Sequence, residues 1–178
     1  MGGHVVQKAA VFFGLVVGVS LVCWNSLSGR SQEQEGGPTA LAKAVVGAKI
    51  SLEQALDVVS RDGKPLSARF EIEDGMLQVS IYRVKKDQFA EVILDPDTGA
   101  VAEVDPITSG SDYNVAQDRN AVMTKAKRSL RAVLTQSVNG NVGFRAAIVV
   151  PSFKGGHPVA AITLVKGDQW KKVSMPLD

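Results

Sequence analysis

Cysteine occurs once in the 178 residues, as Cys23. A single thiol excludes an intramolecular disulfide, so apolar burial must hold the fold together. Histidine occurs only as His4 and His157. With both residue types this scarce, a typical Cys/His zinc set is excluded. Aromatic residues make up 6%, and 20 basic against 18 acidic residues leave a formal charge of +2. Nucleic-acid binding would want a larger basic excess with aromatics interleaved. The densest basic cluster, Lys125, Lys127, Arg128 and Arg131, reads as the charged outer face of a helix. No Walker or dinucleotide glycine pattern is present, since Gly36-Gly37 and Gly155-Gly156 are isolated pairs. No Gly-x-Ser-x-Gly elbow accompanies His157, which reads as a turn residue beside the glycines. The expectation is therefore a non-enzyme, with no catalytic, cofactor-binding or metal residues assigned.

One long apolar run is present. Ala9 to Trp24 follows a short segment that carries His4 and Lys8. It is shorter than the ~20 residues that span a bilayer comfortably and close to a signal-peptide core. Ser26 and Ser28 then supply small side chains for cleavage before Gly29. Residues 1–28 read as a signal peptide or, if uncleaved, a membrane anchor. Lipidation at Cys23 is a third route, although Ser20 and Val22 depart from a lipobox. Each route places the remainder outside the cytoplasm, in the periplasm or cell envelope. Export without disulfides fits a bacterial envelope better than a small eukaryotic secreted scaffold. Residues 29–48 read as a polar linker, RSQEQEGG, and a short leading helix with Leu41, Ala44, Val45 and Ala48 at helical spacing.

The rest of the chain echoes itself. Val84-Lys85-Lys86-Asp87-Gln88-Phe89 is answered 81 residues later by Val165-Lys166-Gly167-Asp168-Gln169-Trp170. The same offset pairs Gly75 with Gly156, Ile81 with Ile162 and Val92 with Val173. Two copies are too few for a solenoid and suggest a duplicated unit. The expected fold class is α+β, as two tandem modules over 49–105 and 112–178. Each module would be a helix plus a three-stranded antiparallel sheet.

Ser51-Leu52-Glu53-Gln54 is a capping box that opens the first helix, with Leu52, Ala55, Leu56 and Val59 on one face. Alternating runs from Phe70, Leu77 and Phe89 read as three strands joined by Asp74-Gly75 and Lys85-Lys86-Asp87. Ile81 and Ile162 should be buried at matching positions. Gln78 and Ser80 should tolerate change on the other face, where Glu71 and Glu73 also fall. Asp95-Pro96-Asp97-Thr98-Gly99 reads as a type I turn with Gly99 in the left-handed region. Its spacing does not fit a calcium loop. Ala100 to Val104 reads as a short strand or extended arm, and Pro106 to Asp112 as a second linker. The second module should hold one helix over 118–135, strands over 144–150, 159–165 and 170–175, and a longer connection over Phe153 to Pro158.

The Ser51-Leu52-Glu53-Gln54-Ala55 helix start and the Leu94-Asp95-Pro96-Asp97-Thr98-Gly99-Ala100-Val101 closing turn resemble the PepSY domain family. That family typically shows a Ser-Leu-x-x-Ala helix start and an Asp-x-x-Thr-Gly turn. The likeness covers about Lys49 to Val104. The second module resembles the family only through the internal repeat and lacks the closing turn. PepSY modules occur in propeptides of secreted thermolysin-like metallopeptidases and in envelope proteins. The resemblance implies a non-catalytic module that restrains or modulates a peptidase outside the cytoplasm. Its expected partner is a peptidase or another envelope protein, with no nucleic acid, and a membrane only through an uncleaved N-terminus. The alternative is a structural or assembly factor of the envelope.

Overall fold

The computed structural model describes residues 37–178. The signal or anchor read at 1–28, Cys23 and the first part of the linker lie outside the described residues. Among the described residues, no helix is long and apolar enough to cross a membrane.

Two short helices lead. Pro38 opens α1 (Pro38–Gly47), where its fixed φ is pre-set for the first turn, and Ala42 and Val45 are buried. The capping box opens α2 (Leu52–Ser60): Ser51 Oγ accepts from Gln54 N and Gln54 Oε1 accepts from Ser51 N at 2.8 Å. Leu52, Ala55, Leu56 and Val59 are all buried, as their spacing requires. Four strands follow: β1 (Lys64–Glu73), β2 (Met76–Lys85), β3 (Gln88–Leu94) and β4 (Val101–Ile107). Then come α3 (Gly110–Lys125), α4 (Leu130–Asn139), β5 (Arg145–Lys154), β6 (His157–Lys166) and β7 (Gln169–Pro176).

The class is α+β, but the expectation of two separate three-stranded modules is corrected. Among the described residues, all strands form one seven-stranded antiparallel sheet, ordered β4-β3-β2-β1-β5-β6-β7. The first strands of the two repeats pair with each other, Ala68 opposite Val149 and Arg69 opposite Ile148. Sheets of three strands, kept apart, would have left these two edges unpaired, and pairing them removes both. The 81-residue offset aligns the starts of β1 and β5, of β2 and β6, and of β3 and β7. Both halves even break register alike, at Pro65/Ser67 and at Ala146/Ile148.

Two rows of side chains cross the whole sheet. Val104, Val92, Ile81, Ala68, Val149, Ile162 and Val173 make one row on the face packed by α2 and α4. Ile81 and Ile162 are fully buried in it. The adjacent row projects to the other face: Glu103, Ile93, Ser80, Arg69, Ile148, Thr163 and Lys172. The apolar row is the centre of a single core, and no boundary divides it between the repeats.

Three local expectations also change. The single helix over 118–135 is two helices, broken at Ala126–Ser129. There the Lys127 and Arg128 N–H groups donate to Leu177 O, and Ser129 Oγ accepts from Ala132 N to start α4. The linker over Pro106 to Asp112 is instead the end of β4 and the start of α3. The connection over Phe153 to Pro158 shrinks to Gly155-Gly156, both at positive φ, as a two-residue hairpin turn requires. His157 is thus the first residue of β6.

Candidate functional site

The densest set of converging polar groups lies on the face opposite α2 and α4, within the first half of the sheet. Strand alternation sends Ser67, Arg69 and Glu71 of β1, Gln78, Ser80 and Tyr82 of β2, and Glu91 of β3 to that side. Arg69 Nε donates to Glu71 Oε2 at 2.6 Å, and its guanidinium lies 3.8 Å from Glu91. Ser80 donates a short hydrogen bond to Glu91. Gln78 Nε2 bridges Glu71 at 3.1 Å and Glu73 at 2.7 Å.

Helix α3 covers part of this network. Its Arg119 donates to Ser67 Oγ at 2.7 Å and sits 4.8 Å over the centre of the Tyr82 ring. Tyr113 meets Phe89 edge-on, with ring centroids 5.5 Å apart. Arg119 and Tyr113 tie the helix to this face, and the helix also buries Ala116, Val122 and Met123.

Partial burial shifts the titration of several of these groups. Burial pushes the Glu91 carboxyl up, against the Ser80 hydrogen bond and the Arg69 charge. Burial, reinforced by the Glu91 charge, raises the Tyr82 phenol far above its ordinary value. Burial lowers Arg119. It also works against Arg69, but the neighbouring Glu71 and Glu91 charges win and raise it. The network is a set of mutual pairs in which Arg69 stays partly exposed. The cavity beside Ser67, Ser80, Tyr82 and Arg119 is about 20 Å³, close to the space of one water.

The other accessible features lie at the sheet's edges. On β4 every residue from Val101 to Pro106 is exposed. A groove of about 290 Å³ runs between α2 and this edge, lined by Val58, Val59, Val92, Val101 and Val104. Arg83 lies along it and donates to Asp62 O and Asp62 Oδ2, both at 2.7 Å. At the far edge, β7 exposes Trp170, Lys171 and Lys172. Among the described residues, neither outer edge has a strand partner.

The two motifs of the closing turn and the helix start meet in space. Asp95 Oδ1 accepts from Asp97 N, Thr98 N and Thr98 Oγ1 at 2.7–3.0 Å, and Gly99 has a φ of +74°. Pro96 O receives the Lys49 and Ile50 N–H groups just ahead of α2. Asp95 is held below its ordinary pKa by these bonds, first by the Thr98 N–H.

His157 stands apart from the network, with Nδ1 2.9 Å from Asp178 Oδ2 at an exposed position. Among the described residues, no three His, Cys, Asp or Glu side chains are placed to hold a metal. Glu71 and Glu73, read from sequence as solvent-facing, are drawn into the network by Gln78. Arg69, Ser80, Tyr82, Glu91 and Arg119 carried no motif. Only the opposite signs on neighbouring strands could have hinted at their pairing.

No protein-family model matches the sequence. No curated protein matches it. Among solved structures, the chain is similar to the crystal structure of a "putative lipoprotein" from Clostridium difficile 630. The two share 11% identity with a TM-score of 0.42, over 74% of this chain and 88% of that one.

Proposed function

We propose that this chain is an exported, non-catalytic PepSY-like binding module of the cell envelope, one that restrains or modulates a peptidase. The observation that carries the reading is the exposed β4 edge beside its apolar groove. An edge strand offers backbone donors and acceptors to an extended segment of a partner, and the groove offers a seat for its apolar side chains. The docking of the Asp95–Gly99 turn against the residues before Ser51 adds support, because these two motifs carry the PepSY resemblance. Export rests on the apolar run from Ala9 and the small residues Ser26 and Ser28.

The test is a titration of the full chain into a secreted thermolysin-like metallopeptidase, with hydrolysis of a short peptide as the readout. Support would be a saturable change in rate that Val104→Arg weakens, since that change puts a charge in the groove. No rate change and no complex with any of several such peptidases would reject the reading. N-terminal sequencing of the envelope form should begin near Gly29, and soluble cytoplasmic protein that retains Met1 would reject export.

A further inference from the structure

We infer that this chain associates head to tail with further copies of itself, the β4 edge of one copy adding to the β7 edge of the next. Among the described residues, two strands alone meet solvent at the sheet's ends, and they carry opposite charge. β4 presents Glu103 and Asp105 with no basic residue, whereas β7 presents Lys171 and Lys172 with no acidic residue. Glu103 and Lys172 are the two ends of one row across the sheet and project from the same face. Val104 and Val173 are likewise the two ends of the buried apolar row, and Val104 is 44% exposed.

Six antiparallel pairings separate β4 from β7, so the two edges run in the same direction. A second copy that continues the sheet therefore pairs its β7 in parallel with β4. The register that sets Lys172 beside Glu103 also sets Val173 beside Val104. Both rows then run on unbroken from copy to copy. The groove at Val58, Val59 and Val92 is continued by Val173 and Met175 of the incoming strand.

The symmetric alternatives are disfavoured by the same residues. Two β4 edges together would oppose carboxylates, and two β7 edges would oppose lysines. Like charges across strands destabilise pairing, and edge lysines guard against it. The charges thus act against both like-edge dimers and for the one heterologous contact. Such a contact repeats without closing and gives an open array.

The test is sedimentation of the full chain in a mild nonionic detergent over a concentration series. The wild type should grow past the dimer as concentration rises, and 1 M salt should reverse the growth because exposed charges are then screened within about 3 Å. E103K and K172E should each lose this growth. Mixed in equal amounts they should grow again as an alternating array, since the two reversed edges match each other and so do the two unreversed edges. The double variant E103K/K172E, which exchanges the signs, should associate as the wild type does. A wild type that stays monomeric at the highest concentration overturns the proposal. So does growth that neither single reversal weakens, which would place the contact elsewhere, the N-terminal apolar run included. Should either variant fail to fold by circular dichroism, the salt reversal of the wild type decides alone.

Discussion

Arg145 and Lys64 occupy equivalent positions 81 residues apart, and each closes a helix of the other half of the chain. Arg145, at the start of β5, donates to Val46 O at 3.1 Å and to Ala48 O and Ile50 O at 2.7 Å, where α1 ends. Lys64, at the start of β1, donates to Met123 O at 2.7 Å, near the end of α3. Helix C-termini leave carbonyls without partners, and a cation there also meets the negative end of the dipole. The reciprocity ties the halves together at the helix ends as the β1–β5 pairing ties them in the sheet.

Arg145→Ala should therefore destabilise the whole unit by about 2–4 kcal/mol, since charge-assisted hydrogen bonds to otherwise orphaned carbonyls are lost. Urea unfolding would measure it as one transition. Arg145→Lys should recover little, because a single ammonium cannot span three carbonyls as a guanidinium fork does. Lys64→Ala should cost less, with one bond at stake. Two separate transitions in the Arg145→Ala curve would show that the halves fold independently.

The apolar row supplies a second expectation. Ile81→Ala and Ile162→Ala should each cost about 2–5 kcal/mol, because both side chains are buried in a packed layer. Ser80 departs from the tolerance that alternation alone assigns to it. It is buried and donates to Glu91, so Ser80→Ala should cost about 1–3 kcal/mol by leaving a half-buried carboxylate short of a donor. A neutral Ile162→Ala would refute the equivalence of the halves, and a neutral Ser80→Ala would refute the network.

Much of this fold is legible in the sequence because its signals are local or repeated. The Ser51 cap, the alternating strands and the 81-residue echo each depend on neighbours or on a fixed offset. The joining of the halves is not legible. β1 and β5 carry no mark that distinguishes an edge from a central strand, and Ala68 opposite Val149 is a pairing between distant segments. The break at Ala126–Ser129 is hidden because the apolar period runs through it, and what ends α3 there includes a contact to Leu177. The polar network eludes sequence reasoning for the same reason. Alternation assigns Arg69, Glu91 and Ser80 to a face, but only the sheet order makes them neighbours, and α3 reaches the network through Arg119 at Ser67 and Tyr82.

Glu91 gives a pH-dependent expectation. Burial holds its pKa above the ordinary glutamate value, so the folded protein takes up that proton more readily than the unfolded chain. The stability contributed by this group is fully present below the unfolded value, about 4.3. It is lost as pH rises through the raised folded value. Asp62, held low chiefly by the Lys85 hydrogen bond, and Asp95 act in the opposite sense: their contributions are lost as pH falls. Glu91→Gln keeps an acceptor for Ser80 but cannot titrate. The stability of wild type relative to Glu91→Gln should therefore fall as pH rises just above 4.3, read from unfolding curves at a series of pH values. A difference that stays flat or rises through that range would contradict the half-buried placement of Glu91.

The closing turn gives the last expectation. Asp95 Oδ1 gathers three donors, Gly99 N donates to Asp95 O at 2.9 Å, and Gly99 sits at φ +74°. A Cβ added at Gly99 would meet Ile50 Cγ2 at 3.5 Å, an ordinary contact, so the penalty of Gly99→Ala comes from the backbone and not from a clash. That penalty should be about 1 kcal/mol or more. Asp95→Ala should be destabilising as well, because two backbone N–H groups lose their acceptor and the turn no longer presents Pro96 O to the residues ahead of α2. Neither effect involves a metal, so calcium or a chelator should leave the melting temperature unchanged. A ligand at 100 times its dissociation constant would stabilise the folded state by ~2.7 kcal/mol, a shift easily seen in a melt. A calcium-dependent rise that Asp97→Ala removes would reverse the reading, since Asp97 offers its backbone N–H to the turn and its carboxylate only a 4.0 Å approach to Lys49.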